Sequence, residues 1–254
     1  MQVQLIRSAT LRMEYAGHRL LVDPCLAAKH TQPSYAGISL NPMVDLPCPP
    51  EEVLSGAEWV IISHLHSDHF DPAAEARLPK GMPILCQPCD AEILRARGFV
   101  AVTAVNDSIL WEGITITRIP CQHGSGAVLD ELGEASGFML RAVGELTVYW
   151  AGDTVWCDSV AAVLAREKPE VTVIHASGAT WSESTLIVMD AEQAMRVCRA
   201  GSTVIATHME AYDHGTVTRA ALRSLACSAG IGNSNLIIPE DGEVLVFDSV
   251  KGRR

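Results

Sequence analysis

The segment Ser63 to Asp71 reads SHLHSDHFD and sits directly behind the apolar run Trp59-Val60-Ile61-Ile62. It places His64, His66, Asp68 and His69 within six positions of a chain that has nine histidines in all. Alternate residues of an extended segment point the same way, so His64 and His66 can reach one ion. Asp68 and His69 fall in the turn before the next helix and can face a second ion. Four ligand-type side chains this close together would only accumulate desolvation costs if their role were structural. Imidazole and carboxylate together suit zinc, manganese or iron better than calcium.

Two ions need roughly eight protein ligands, less the positions held by water. The rest of the set has to come from elsewhere in the chain, and strand ends supply candidates. Ile116 to Ile119 leads to His123, Leu146 to Trp150 leads to Asp153, Val171 to Ile174 leads to His175, and Val204 to Thr207 leads to His208. In sheets flanked by helices, ligand sites gather at one set of strand ends, so these residues can converge. His123 lies in QHGSG and Asp153 in AGDT, where glycine lets the backbone approach an ion closely. His214, six residues after His208, competes with it for a ligand position. His18 and His30 have no such context and read as surface residues.

The N-terminus reads as an antiparallel meander, Val3 to Ile6, Leu11 to Tyr15 and Arg19 to Val22, ending at Asp23-Pro24. Residues 24 to 50 are proline-rich and aperiodic, which predicts a long loop of the lid or binding type. Strands and helices then alternate. The strand Val60 to Ile62 precedes a helix capped by Asp71 with Pro72 in its first turn. Ile84-Leu85 is a short strand and Asp90 to Gly98 a helix; Ile109 to Ile119 forms one or two strands around Glu112-Gly113. Phe138 to Ala151 forms a hairpin turning at Gly144. Helices follow at Asp158 to Arg166, Asp190 to Ala200 and Thr218 to Ser228, between strands at Val171 to Ile174, Thr203 to Ala206 and Leu236 to Ile238, with a last strand at Glu243 to Phe247. With no repeat and no linker, a single domain over residues 1–254 is expected, built of two mixed sheets flanked by helices.

The chain has 254 residues, 48% of them apolar and 19% charged, which is the balance of a folded protein with a real core. A formal net charge of -11 repels phosphate backbones and anionic membranes, so neither nucleic acid nor membrane is an expected partner. Apolar runs are no longer than strands, and the alternating N-terminus lacks the block of a signal peptide, which points to the cytoplasm. Eight thinly spread cysteines read as reduced. Cys86 and Cys89 form a CxxC without a second pair, which favours a buried turn over a redox or zinc role.

SHLHSDHFD with the later QHG, AGDT and ATHMEA resembles the metallo-β-lactamase-fold superfamily of metal-dependent hydrolases. The likeness runs from ATLRMEYAGHRLLVDP to LIIPEDGEVLVF. It implies an α/β fold, a four-layer αββα sandwich of two mixed sheets with a dinuclear site. His64, His66 and His123 would hold one divalent ion, Asp68, His69 and His208 the other, and Asp153 would bridge them. Zinc or manganese is the implied metal, with iron allowed. The DHFD ending and the ATLxxEYxGxRLLxDP pattern are most similar to the ascorbate-6-phosphate lactonase-like branch. His66 stands where the diiron redox members carry glutamate.

Two ions about 3.5–4 Å apart would lower the pKa of a shared water, polarise a scissile carbonyl or phosphoryl oxygen, and stabilise the leaving oxyanion. Asp68 could orient that water or take its proton. His175 and His214 could donate to a substrate anion or protonate a leaving group, with Asp213 orienting His214. The expected function is hydrolysis of a small ester, lactone or phosphodiester, an anionic small molecule being allowed. A nuclease on the same fold and a non-catalytic metal-binding assembly protein are the alternatives. β-Lactam hydrolysis is disfavoured because such enzymes carry export signals. Relatives in the lactonase-like branch assemble, so a homo-oligomer is an open expectation. Trp156, Trp181 and the loop from Gly124 to Gly137 are expected to shape the pocket, and the loop near Tyr35 to cover it.

Overall fold

A computed structural model describes residues 1–182 and 184–248. Strands β1 (Gln2–Arg7), β2 (Thr10–Tyr15) and β3 (His18–Val22) form the expected antiparallel meander. A long loop and helix α1 (Pro50–Leu54) lead to β4 (Trp59–Ile62), which joins β3 in parallel. Helix α2 (Pro72–Arg77), β5 (Ile84–Cys86), α3 (Pro88–Ala96) and β6 (Val102–Ala104) extend the same sheet.

The second sheet starts with the antiparallel strands β7 (Ser108–Trp111), β8 (Ile114–Pro120), β9 (Ser136–Arg141) and β10 (Val148–Trp150), with α4 (Ala127–Leu132) between β8 and β9. Helix α5 (Asp158–Glu167) leads to the parallel strand β11 (Val171–His175), followed by a two-stranded hairpin, β12 (Thr180–Trp181) and β13 (Thr185–Leu186). Helix α6 (Ala191–Cys198), β14 (Thr203–Thr207), α7 (Arg219–Ser228) and β15 (Leu236–Ile237) complete this sheet. The chain then returns to the first sheet, where β16 (Val244–Val246) pairs with β1. The strand orders are β16-β1-β2-β3-β4-β5-β6 and β15-β14-β11-β10-β9-β8-β7.

The period-two pattern of the strands explains the layers. In β4, Trp59 and Ile61 join a core with Phe138, Trp150 and Val173 of the second sheet, while Val60 and Ile62 face Val53, Ala74 and Leu94 of the helices on the other side. In β14, Ile205 points into the inter-sheet core and Val204 and Ala206 pack against Val163, Met195 and Leu222 of α5, α6 and α7. Strands buried on both faces read as continuous apolar runs, as β4 and β11 do. The result is the α/β fold of two mixed sheets flanked by helices. Residues 249–254, the end of the span expected to be one domain, lie outside the described residues.

Helices α2, α6 and α7 begin where the caps predicted: Asp71, Asp190 and Thr218 accept from Ala74 N, Gln193 N and Ala221 N. Ile109 to Ile119 resolves into two strands, because Glu112 and Gly113 both take positive φ, 48° and 78°, as a tight hairpin turn requires. The CxxC is not a turn. Cys86 ends β5 and Cys89 lies inside α3, which starts at Pro88, two residues before the predicted start at Asp90.

Buried Arg7 explains why the proline-rich segment is ordered. Its guanidinium donates to the carbonyls of Cys25, Ala27 and Val44, tying both ends of the loop to β1.

Candidate metal centre

The ends of β3, β4, β10, β11 and β14 bring Asp23, His64, Asp153, His175 and His208 to one place, all buried. The turn after β4 adds His66, Asp68 and His69, and the loop after β8 adds His123. Two groups of ligand atoms form, His64-His66-His123 and His69-Asp153-His175-His208, and within each group the atoms lie within 4.8 Å of one another.

In the first group every N–H is already committed. Ser63 donates its hydroxyl to Asp23 Oδ2 at 2.7 Å and in turn accepts from His64 Nδ1 at 2.9 Å. His66 Nε2 donates to the Leu132 carbonyl at 3.0 Å, and His123 Nδ1 donates to the Ile187 carbonyl at 2.9 Å. The lone pairs of His64 Nε2, His66 Nδ1 and His123 Nε2 are therefore left facing one another. His64 Nε2 and His66 Nδ1 are 2.9 Å apart, a separation at which two acceptors repel unless a positive centre lies between them. This donor set fits a metal ion.

In the second group His69 Nδ1 donates to Asp23 Oδ2 at 2.6 Å, leaving Nε2 at 3.2 Å from both Asp153 Oδ2 and His208 Nε2. Asp153 Oδ2 is also 3.6 Å from His123 Nε2 and 4.0 Å from His64 Nε2, so this one oxygen faces both groups. Burial pushes the Asp153 and Asp68 carboxyls up, but His69 and the neighbouring histidines outweigh it and hold both well below the usual carboxylate range. Burial pushes His64 and His66 down, toward the neutral form that a metal requires. His69 is buried too, yet Asp153, Asp23 and Asp68 raise its pKa, so the site favours a positive charge there.

Three expected roles change with the geometry. His175 does not border the open cavity. Trp150 Nε1 donates to its Nε2 at 3.4 Å, so its Nδ1 carries a proton and donates to Asp153 Oδ1 at 2.5 Å. Asp213 does not orient His214; its carboxylate accepts from the Ser34 hydroxyl, the Asn41 amide and the N–H groups of Tyr35, Ala36, Ile38 and Ser39, and so anchors the loop over the site. Asp68 stands outside the tight second group, with Oδ2 at 3.4 Å from His208 Nε2 and 3.7 Å from His214 Nε2.

The two glycines also act differently from the expectation. A Cβ on Gly152 would meet Ser136 O at 2.7 Å, and one on Gly124 would meet Val128 Cγ1 at 2.9 Å, with φ at +65° and +114°. They admit protein neighbours, not an ion.

A cavity of 280 Å³ opens onto this centre. It is lined by the polar residues His66, Ser67, Asp68, His123, Asp153, His214 and Glu131 together with Tyr35, Leu132, Trp181 and Ile187. Trp181 Nε1 donates to Glu131 Oε1 at 2.8 Å. Among the described residues no lysine or arginine borders it. Trp181 and the 124–137 segment shape this cavity as expected, through α4; Trp156 is not part of its wall. Asp23, Ser63, Ser67 and the hydroxyl of Tyr35 were not among the candidates. Asp23 was findable, since it too is a ligand-type residue just past an apolar strand.

The family model described as the beta-lactamase superfamily domain matches residues 18–209. UPF0173 protein YddR of Bacillus subtilis is 33% identical over 97% of this chain and 100% of its own. The chain belongs to the UPF0173 family of the beta-lactamase superfamily. Other UPF0173 relatives carry the description metal-dependent hydrolase, among them one from Azorhizobium caulinodans that is 26% identical over 68% of this chain and 72% of its own. Two crystal structures superpose on this UPF0173 chain over nearly its whole length. One is an isothiocyanate hydrolase from Delia radicum gut bacteria, with a TM-score of 0.92 and 36% identity over 98% of this chain and 100% of that one. The other is a possible metal-dependent hydrolase from Veillonella parvula, with a TM-score of 0.93 and 32% identity over 97% and 99%. This UPF0173 chain is accordingly a metal-dependent hydrolase of the metallo-β-lactamase fold.

Proposed function

We propose that the chain hydrolyses a small uncharged electrophile, with an isothiocyanate as the first candidate, at a centre of two divalent ions. The observation that carries this reading is the cavity itself: ligand-type side chains line it together with aromatic and aliphatic ones, and among the described residues no lysine or arginine is there to receive a phosphate or carboxylate. The likeness to an isothiocyanate hydrolase supports the choice of substrate.

His64, His66 and His123 would hold one ion, His69 and His208 the other with Asp68 beside it, and Asp153 would reach both. When bound, zinc or manganese would supply positive charge and a water of lowered pKa. The chain's own groups do the rest. Asp68 orients the water and receives its proton. His214, 3.7 Å from Asp68, relays that proton toward the substrate nitrogen. The oxygen of water bonds to the central carbon of R–N=C=S, the C–N bond breaks, and nitrogen leaves as the amine with both protons of the water. R–NCS and H2O thus become R–NH2 and COS. His175 holds Asp153 in place from beneath.

Addition of water to a lactone or ester carbonyl would use the same groups and is the second reading. A phosphodiester fits less well, because its charge would meet Glu131 and, among the described residues, no protein cation.

The test has two parts. Metal content by plasma mass spectrometry, on protein purified without a metal-affinity column, should be about two ions per chain. Amine release from aryl and alkyl isothiocyanates should then be compared with hydrolysis of lactones and phosphodiesters. Protein that takes up no metal would remove the centre; metallated protein that spares isothiocyanates and cleaves lactones would move the assignment to the second reading.

A further inference from the structure

Adding water to an electrophilic carbon pushes an electron pair onto the neighbouring heteroatom, so some donor has to meet that charge. Most N–H groups bordering the cavity are unavailable for this. His66 Nε2–H is held by the Leu132 carbonyl, His123 Nδ1–H by the Ile187 carbonyl and Trp181 Nε1–H by Glu131. His214 faces Asp68 and belongs to the proton relay already described.

The lining also holds two hydroxyls, on Tyr35 and Ser67. They touch each other in a short hydrogen bond, and both residues border the cavity. One of their two protons is spent between them. The other has no partner among the described residues, whichever oxygen carries it. Tyr35 is also clamped. Its ring stacks on Tyr212 at 5.7 Å and meets His214 edge-on at 5.0 Å, and its backbone N–H is held by Asp213 at 2.9 Å. Ser67 sits between His66 and Asp68 in the ligand-bearing turn. A donor fixed from both sides needs no reorganisation when charge develops, which is the condition for electrostatic catalysis.

We propose that the Tyr35–Ser67 hydroxyl pair is a catalytic donor that hydrogen-bonds the substrate heteroatom on which negative charge develops as water adds. No proton leaves the pair, which stabilises charge without acting as an acid. The proposal rests on the hydrolytic reading above.

The decisive variant is Tyr35→Phe, which keeps the ring stacked on Tyr212 and removes only the hydroxyl. With the metal-loaded enzyme and an isothiocyanate, kcat should fall about 10- to 100-fold while KM and metal content stay within twofold. Ser67→Ala should fall by a similar factor, and the double variant should fall no further than the worse single one, because the two hydroxyls act as one unit. A kcat within twofold of the parent in Tyr35→Phe would overturn the proposal, as would a loss that follows metal content or melting temperature. If the parent does not hydrolyse isothiocyanates, the functional reading fails separately and the pair is judged by thiocyanate, a linear anion with charge at both ends. Tyr35→Phe should then bind thiocyanate at least fivefold more weakly than the metal-loaded parent; equal affinities, or no binding by the parent, would overturn the assignment.

Discussion

At the scale of single residues, the centre depends on how each imidazole is oriented from behind. Asp23 accepts from Ser63 N, Ser63 Oγ and His69 Nδ1, so one buried carboxylate sets the tautomers of His64 and His69 together. Asp23→Asn keeps the shape but removes the charge and turns one acceptor oxygen into a donor. It should weaken metal affinity about 10- to 100-fold, measured by chelator competition. Asp153→Ala should go further, with bound metal and turnover both lost, because it removes the oxygen facing both groups and leaves the His175 N–H buried without an acceptor. An active, fully metallated Asp153→Ala enzyme would refute the site. The ligand types here were legible in the sequence: HxHxDH and the histidines past strand ends announce themselves by spacing. Their tautomers were not, since Leu132 and Ile187 offer backbone carbonyls that any residue type could have supplied.

At the scale of elements, strands and capped helices followed local rules, and the short pieces did not. Strand β6 and the β12–β13 hairpin are two or three residues each, too short for a period to show. Helix α4 lies between Gly126 and Gly133 and becomes a wall of the cavity only because β8 and β9 place it there. The covering loop shows the same dependence. Its anchor, Asp213, is about 175 residues away in sequence, where its place beside His214 suggests an orienting carboxylate and nothing points to the loop. Burial pushes the Asp213 carboxyl up, but the bonds from Ser34, Asn41, Tyr35 and Ser39 outweigh it and hold the group below the usual carboxylate range. The folded value lies below the unfolded one, near 3.9, so the anchoring is fully present above about pH 4 and fades as pH falls through the folded value. Asp213→Ala should release the 34–41 segment, seen as faster limited proteolysis there at neutral pH and a raised KM, with metal content kept. Gly137 is a different constraint: a Cβ would lie 2.6 Å from the carbonyl oxygens of Trp150 and Ala151. Gly137→Ala should therefore destabilise the protein by about 1–3 kcal/mol in urea unfolding.

At the scale of the whole molecule, both sheets contribute to the centre, so metal and fold should be thermodynamically linked. Asp23, His64 and His69 come from the first sheet; Asp153, His175 and His208 come from the second. An ion that binds only the folded chain stabilises it by about 2.7 kcal/mol per site at a hundredfold excess over Kd. For a chain of this size that is roughly 5–10 °C per site, and chelation should lower Tm by that amount in calorimetry. An unchanged Tm would show that the two halves do not share an ion. Read alone, the sequence was enough for the layered α/β fold, the ligand-bearing turn and the strand ends that carry ligands, because periodicity, caps and spacing are local properties of the chain. Which proton each histidine keeps, why Gly152 must be glycine, what holds the covering loop and which hydroxyls border the cavity were decided only in the tertiary structure. Each of these depends on a partner atom brought near by packing, and no local pattern encodes that partner.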